Sequence, residues 1–160
     1  MMTKFFAILL LAGFGQAAPA FAQSVAPSPL LGSWAVEVER LPMPPEARPK
    51  SVTISYTDIG GGKWRTNVDI IGKDYENHTA GIYTPDGTPY VVEGSPEADI
   101  AAVKLPAPNV MVMVLGKGGV PASTRVYTVA PDGRSMIETA GYIGEGGKPV
   151  MRTNYFTRIR

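Results

Sequence analysis

The stretch Lys50-Ser51-Val52-Thr53-Ile54-Ser55-Tyr56-Thr57-Asp58-Ile59-Gly60-Gly61-Gly62-Lys63-Trp64-Arg65-Thr66-Asn67-Val68-Asp69-Ile70-Ile71 decides the fold. Apolar and polar residues alternate on both sides of a glycine triplet, which is the period of a half-buried strand. A strand over about Lys50–Thr57 turns Val52, Ile54 and Tyr56 to one face. A second, over about Lys63–Ile71, does the same for Trp64, Thr66, Val68 and Ile70. Gly60-Gly61-Gly62 supplies the positive φ that a tight hairpin needs.

The same grammar runs outward in both directions. Ser33–Arg40 reads as the first strand, with Trp34, Val36 and Val38 on one face. Leu41–Pro49 carries four prolines and reads as an irregular loop. Downstream, Glu76–Tyr83 is a strand, and Asp86-Gly87 is a hairpin signal before a short strand at Pro89–Glu93. Further strands are expected near Ile100–Leu105, Val110–Leu115, Thr124–Ala130, Ser135–Tyr142 and Val150–Ile159, with a second hairpin signal at Asp132-Gly133. No segment after the leader shows a sustained 3.6-residue period. About eight to ten sequential antiparallel strands with short links leave open edges unless the sheet closes on itself. An all-β, up-and-down barrel is therefore expected, with a two-sheet sandwich as the alternative.

The N-terminus has a different character. Lys4 precedes the apolar run Phe5–Phe14, and Ala20-Phe21-Ala22 places small residues where a signal peptidase reads. The apolar run is shorter than the roughly 20 residues a membrane-spanning helix needs. The expected organisation is a signal peptide over 1–22, a linker over 23–30 and a barrel domain over 31–160. The mature chain is then expected in the periplasm or secreted from a bacterium, with no stable membrane insertion.

Removing 22 residues from the 160-residue chain leaves 138, enough for one domain with one core. Of the 15 basic and 14 acidic residues only Lys4 lies in the leader, so the remainder carries fourteen of each and is formally neutral. Neutrality argues against nucleic acid as a partner. The chain has no cysteine, which excludes thiol catalysis, thiolate metal sites and stabilisation by disulfides. Nothing in the composition sets an oligomeric state.

Leu31-Gly32-Ser33-Trp34 resembles the Gly-x-Trp signature of lipocalins and lipocalin-like barrels. Tyr83–Asp99 is similar to a recurrent stretch in small exported bacterial lipocalin-like proteins of unknown function. With the late hairpin at Asp132-Gly133, the resemblance covers most of the mature chain. It implies a closed barrel with an internal cavity, and a tryptophan at one barrel end beside an arginine from the late strands. Trp34 matches that tryptophan, and Arg152 or Arg158 supplies the arginine. The chain departs from lipocalins in lacking cysteines and a clear C-terminal helix.

Strand-borne aromatics supply the candidate ligand-binding residues: Tyr56, Trp64, Tyr83, Tyr127 and Tyr155, with Met111, Met113 and Met151. In a hollow barrel they would line an apolar cavity with a few hydroxyl tips, suited to a small apolar or amphipathic ligand. Arg125 and Arg152 would face a ligand's acidic group or pair outside. His78 is the single histidine, and no G-x-S-x-G elbow accompanies it, so neither a catalytic triad nor a zinc site is expected. No cofactor, metal site or catalytic residue is expected. Glu93, Glu97 and Asp99 read as a solvated loop, with Asp99 holding the turn. Non-enzymatic ligand binding leads this reading. Two alternatives are an enzyme using interior carboxylates such as Asp69 or Glu138, and an envelope-protein interaction module using the doubly apolar strand Val110–Leu115.

Overall fold

The computed structural model describes residues 26–159, so the expected signal peptide over 1–22 and the first residues of the expected linker lie outside the described residues. Ten strands follow one another: β1 (Gly32–Val36), β2 (Ser51–Gly60), β3 (Lys63–Ile71), β4 (Glu76–Tyr83), β5 (Asp86–Val91), β6 (Ile100–Ala107), β7 (Val110–Lys117), β8 (Val120–Val129), β9 (Ser135–Ile143) and β10 (Pro149–Arg158). They form one antiparallel sheet in the order β4-β3-β2-β1-β10-β9-β8-β7-β6-β5. The first and last strands pair directly, Trp34 opposite Arg158 and Val36 opposite Phe156. The outer strand β4 meets the segment just after β5 at the Ala80–Glu93 bridge, through reciprocal backbone bonds of 3.0 and 2.9 Å. The result is a nearly closed up-and-down barrel, as the alternating sequence predicts. Among the described residues no helix is long and apolar enough to cross a membrane.

The seam between β4 and β5 is narrow and specifically built. Asn77 Nδ2 donates to the Gly94 carbonyl at 2.8 Å. Gly94 has φ +72°, and a Cβ there would lie 2.0 Å from the His78 carbonyl oxygen. Only glycine lets the two backbones approach this closely. Nearby, the Tyr83 and Tyr90 rings stack at 4.6 Å. Asp86 and Gly87 therefore open β5, with Asp86 opposite Lys104 of β6, rather than forming a regular hairpin turn back onto β4.

Several bounds differ from the expected ones: β5 is Asp86–Val91 rather than Pro89–Glu93, β8 begins at Val120 rather than Thr124, and two further differences have a clear local cause. β1 ends at Val36, after which Glu37 N donates to Tyr155 O at 2.8 Å and Val38–Arg40 curl into a 3-10 turn. Val38 thus leaves the face of Trp34 and Val36; the proline-rich loop that follows has no amide pattern to continue a ladder. β2 runs on to Gly60 through a bulge at Asp58/Gly60, where Gly60 N donates to Asp58 Oδ1 at 2.8 Å.

The core is concentrated at one end of the barrel. Leu30, Trp34, Val103, Met111, Val129 and Met136 are fully or almost fully buried there. The Trp34 indole N–H donates to the Leu30 carbonyl at 2.9 Å. The Arg158 guanidinium lies over the Trp34 ring, with its carbon 4.1 Å from the ring centroid. Arg158 also donates to the carbonyls of Gly133 (2.6 Å), Leu31 (2.7 Å) and Pro29. One cation thereby ties the segment before β1, the β8–β9 turn and β10 together, and carbonyl dipoles and a π face take the place of its lost water. Arg158, not Arg152, partners the tryptophan.

Burial of the indole sets the stability consequence. Replacing a buried Trp by Ala costs about 3–5 kcal/mol, while the indole hydrogen bond contributes about 0.5–1.5 kcal/mol. Trp34→Ala is expected to lower stability by the first amount and Trp34→Phe by a smaller one, measured by urea unfolding. A Trp34→Ala protein with the wild-type midpoint would remove Trp34 from the core.

Candidate ligand-binding cavity

Ten strands enclose a wider interior than eight, whose side chains are just able to fill the space. At the end away from Trp34 the barrel holds a cavity of about 740 Å³, within the range of small-molecule sites. The strand period explains its walls. On β2 and β3 the inward residues Val52, Ile54, Val68 and Ile70 build an apolar side, joined by Val36 of β1. Tyr56, Tyr127 and Phe156 lie beneath, packed edge to face, with Tyr127 6.3 Å from each of the other two rings. Leu41, Pro42 and Met43 of the proline-rich loop border the cavity as well.

The wall formed by β8, β9 and β10 is polar, and its groups occupy two successive layers. Tyr127, Glu138 and Asn154 are cross-strand partners in the lower layer. Glu138 is buried, and both its oxygens are engaged. Oε1 accepts from the Tyr127 hydroxyl at 3.0 Å and pairs with Arg125 Nη1 at 3.3 Å, while Oε2 accepts from Asn154 Nδ2. In the upper layer Arg125 and Arg152 flank Ala140, each as its cross-strand partner. The fork of Arg125 is fully used: Nη1 on Glu138, Nη2 on Glu97 and Nε on Ser123 Oγ. Burial opposes its charge, but the Tyr127 oxygen and the carboxylates of Glu138 and Glu97 more than offset this and raise its pKa above the ordinary value. Burial pushes the phenols of Tyr56 and Tyr127 well up, so both stay neutral hydroxyls at physiological pH.

The structure divides the sequence-predicted residues. Tyr56 and Tyr127 line the cavity, as does Met113. Trp64 is buried one inward step beyond Thr66, toward the closed end, and does not line it. Tyr83 is buried beside it, its hydroxyl 2.8 Å from Thr66 Oγ1 and its pKa pushed up to about 12 by burial. Met111 is fully buried at the closed end. Tyr155 alternates with the buried Phe156 and faces outward, with the Arg40 guanidinium 3.2 Å above its ring. The inward face of β10 is Val150, Arg152, Asn154 and Phe156, and Asn154 and Tyr142 are cavity residues that the sequence reading passed over. Arg152, Asn154 and Phe156 recur at every second position, which is the signal that could have found them.

The remaining candidates separate too. Val110–Leu115 sends Met111, Met113 and Leu115 inward and leaves Val114 45% exposed. Glu97 pairs with Arg125 at the rim, and Asp99 Oδ2 accepts from Gly118 N at 2.9 Å. Among the described residues no group of three or more His, Cys, Asp and Glu side chains is placed to hold a metal ion.

Asp69 points outward rather than into the interior, and its carboxylate lies 2.7 Å from His78 Nδ1 across the β3–β4 ladder, with Glu76 3.7 Å from Nε2. The Asp69 hydrogen bond, reinforced by the charges of Asp69 and Glu76, outweighs desolvation and raises the His78 pKa. Its contribution to stability is therefore complete below the unfolded-state pKa of about 6.5 and is lost as pH rises through the higher folded value. An NMR titration of the imidazole is expected to give a midpoint above 6.5 that drops in Asp69→Asn. A midpoint unchanged by that substitution would contradict the pairing. In comparisons with known proteins, no family model matches the chain, and no curated protein is significantly similar to it.

Proposed function

We propose that this chain is an exported, lipocalin-like binding protein that holds a small apolar or amphipathic molecule without transforming it. The cavity carries this reading: about 740 Å³ of space bounded by aliphatic and aromatic side chains, at one end of a barrel packed at the other. Such a wall takes up apolar surface at roughly 25 cal/mol per Å² of area removed from water. The Gly32-x-Trp34 resemblance and the packing of Trp34 against Arg158 support the lipocalin-like part. The leader-like sequence of residues 1–22 supports export to the periplasm or beyond.

An enzymatic reading has less support. Asp69 is outside the cavity, and both oxygens of Glu138 are held by the protein's own donors. The interaction-module reading rests on the outer face of β7, where Val110, Val112 and Val114 are only partly covered. The cavity, which uses the inner face of the same strand, favours ligand binding over it.

Native mass spectrometry of the protein recovered from its own host tests both parts together. The expected species is a chain beginning at Gln23 that carries a small added mass, released on denaturation. An uncut chain beginning at Met1 would contradict export. A bare protein that also fails to take up added N-phenyl-1-naphthylamine, a neutral apolar dye, would contradict binding.

A further inference from the structure

We infer that Arg152 is the headgroup site of the cavity, and that the ligand is an amphipathic anion: an apolar body ending in a carboxylate or phosphate. This deepens the binding reading above and rests on it. The argument starts from the pairing of charges within the polar wall. Arg125 and Arg152 stand at the same height on either side of the buried Ala140, each as its cross-strand partner, and both line the cavity. Both nearby carboxylates, Glu138 and Glu97, pair with Arg125. Among the described residues no carboxylate pairs with Arg152. Its Nε is buried without a hydrogen-bond partner, and so is Asn154 Oδ1 one inward step below. Tyr142, the next inward residue on β9, places its ring 5.8 Å from the Arg152 guanidinium.

A buried donor left without an acceptor is unfavourable, and buried donors in folded proteins normally have a partner. A guanidinium fork matches a two-oxygen anion in geometry as well as charge. The Nε itself is closed to the cavity, so an anionic head would meet the guanidinium through its two Nη groups, with which no carboxylate pairs among the described residues. The apolar body would then lie toward Val52, Ile54, Val68 and Ile70, the aliphatic wall of β2 and β3. Neither arginine alone explains the arrangement: Arg125 neutralises the interior carboxylate, which leaves the charge of Arg152 available to the ligand.

Calorimetric titration of the protein with dodecanoate, dodecyl phosphate and dodecanol tests this. At least one anion is expected to bind about tenfold or more tightly than the alcohol, the margin of one charge-assisted contact. Whichever anion is preferred identifies the head. Arg152→Gln, with folding checked by circular dichroism, is expected to bring anion affinity down to that of the alcohol. Arg152→Lys, which keeps the charge and loses the fork, is expected to retain part of the preference. Equal binding of all three by the wild type would overturn the headgroup assignment and leave apolar binding standing. So would an anion preference that survives Arg152→Gln. The wild-type comparison decides the matter even where a variant does not fold. Failure to bind any of the three would overturn the binding reading itself, and this inference with it.

Discussion

The contact between Arg158 and Trp34 is the constraint on which the rest of this barrel depends. A ten-strand meander has two free ends, and closing it requires the first strand to find the last. Here β1 lies beside β10 with Trp34 opposite Arg158, and the guanidinium covers the indole while bonding three carbonyls. A cation over an aromatic face contributes about 0.5–2 kcal/mol. Its larger effect is on register, because a slip of one residue would turn Trp34 outward and Arg158 away from its carbonyls. The plug of Leu30, Met111, Val129 and Met136 packs on this pair. Large side chains thus fill one end, and the width of ten strands is left over as space at the other.

That space is asymmetric because the strand register sorts it by chemistry. Inward positions on β2 and β3 are aliphatic above Thr66, while those on β8, β9 and β10 place Tyr127, Glu138 and Asn154 in one layer and Arg125 and Arg152 in the next. A buried carboxylate with three donors is a satisfied network. A neighbouring half-buried arginine with an unmet Nε–H is not. The contrast between Arg125 and Arg152 across one alanine gives the cavity a direction, with an apolar side and a polar one. The seam at Ala80 and Glu93 lies beside Thr79 and Gly81 of the same cavity wall.

Much of the fold was legible in the sequence, because alternation and glycine turns are local signals. The bounds of β3 and β4 were readable to the residue, and the glycine triplet marks the hairpin that joins β2 to β3. What alternation does not say is which of two faces is inside. On β10 the aromatic Tyr155 and the apolar Met151 suggested one face, yet Arg152, Asn154, Phe156 and Arg158 turn inward. The deciding interactions come from distant strands, Arg158 with Trp34 and Asn154 with Glu138. Trp64 shows a second limit. Its face was read correctly, but its height along the barrel, one step past the cavity, follows from where Trp34 and Tyr83 close the end. Tyr56 and Tyr127 were legible as cavity residues because each sits mid-strand on the apolar face.

Whether the barrel is hollow at one end and packed at the other is most directly tested by methyl NMR. Met111 and Met113 sit two residues apart on β7, the first fully buried at the closed end and the second lining the cavity. With methionine methyl groups labelled with carbon-13, addition of N-phenyl-1-naphthylamine should shift the Met113 resonance and leave those of Met111 and Met136 in place. Equal shifts at Met111 and Met113, or none at Met113 while the dye binds, would contradict this division of the interior.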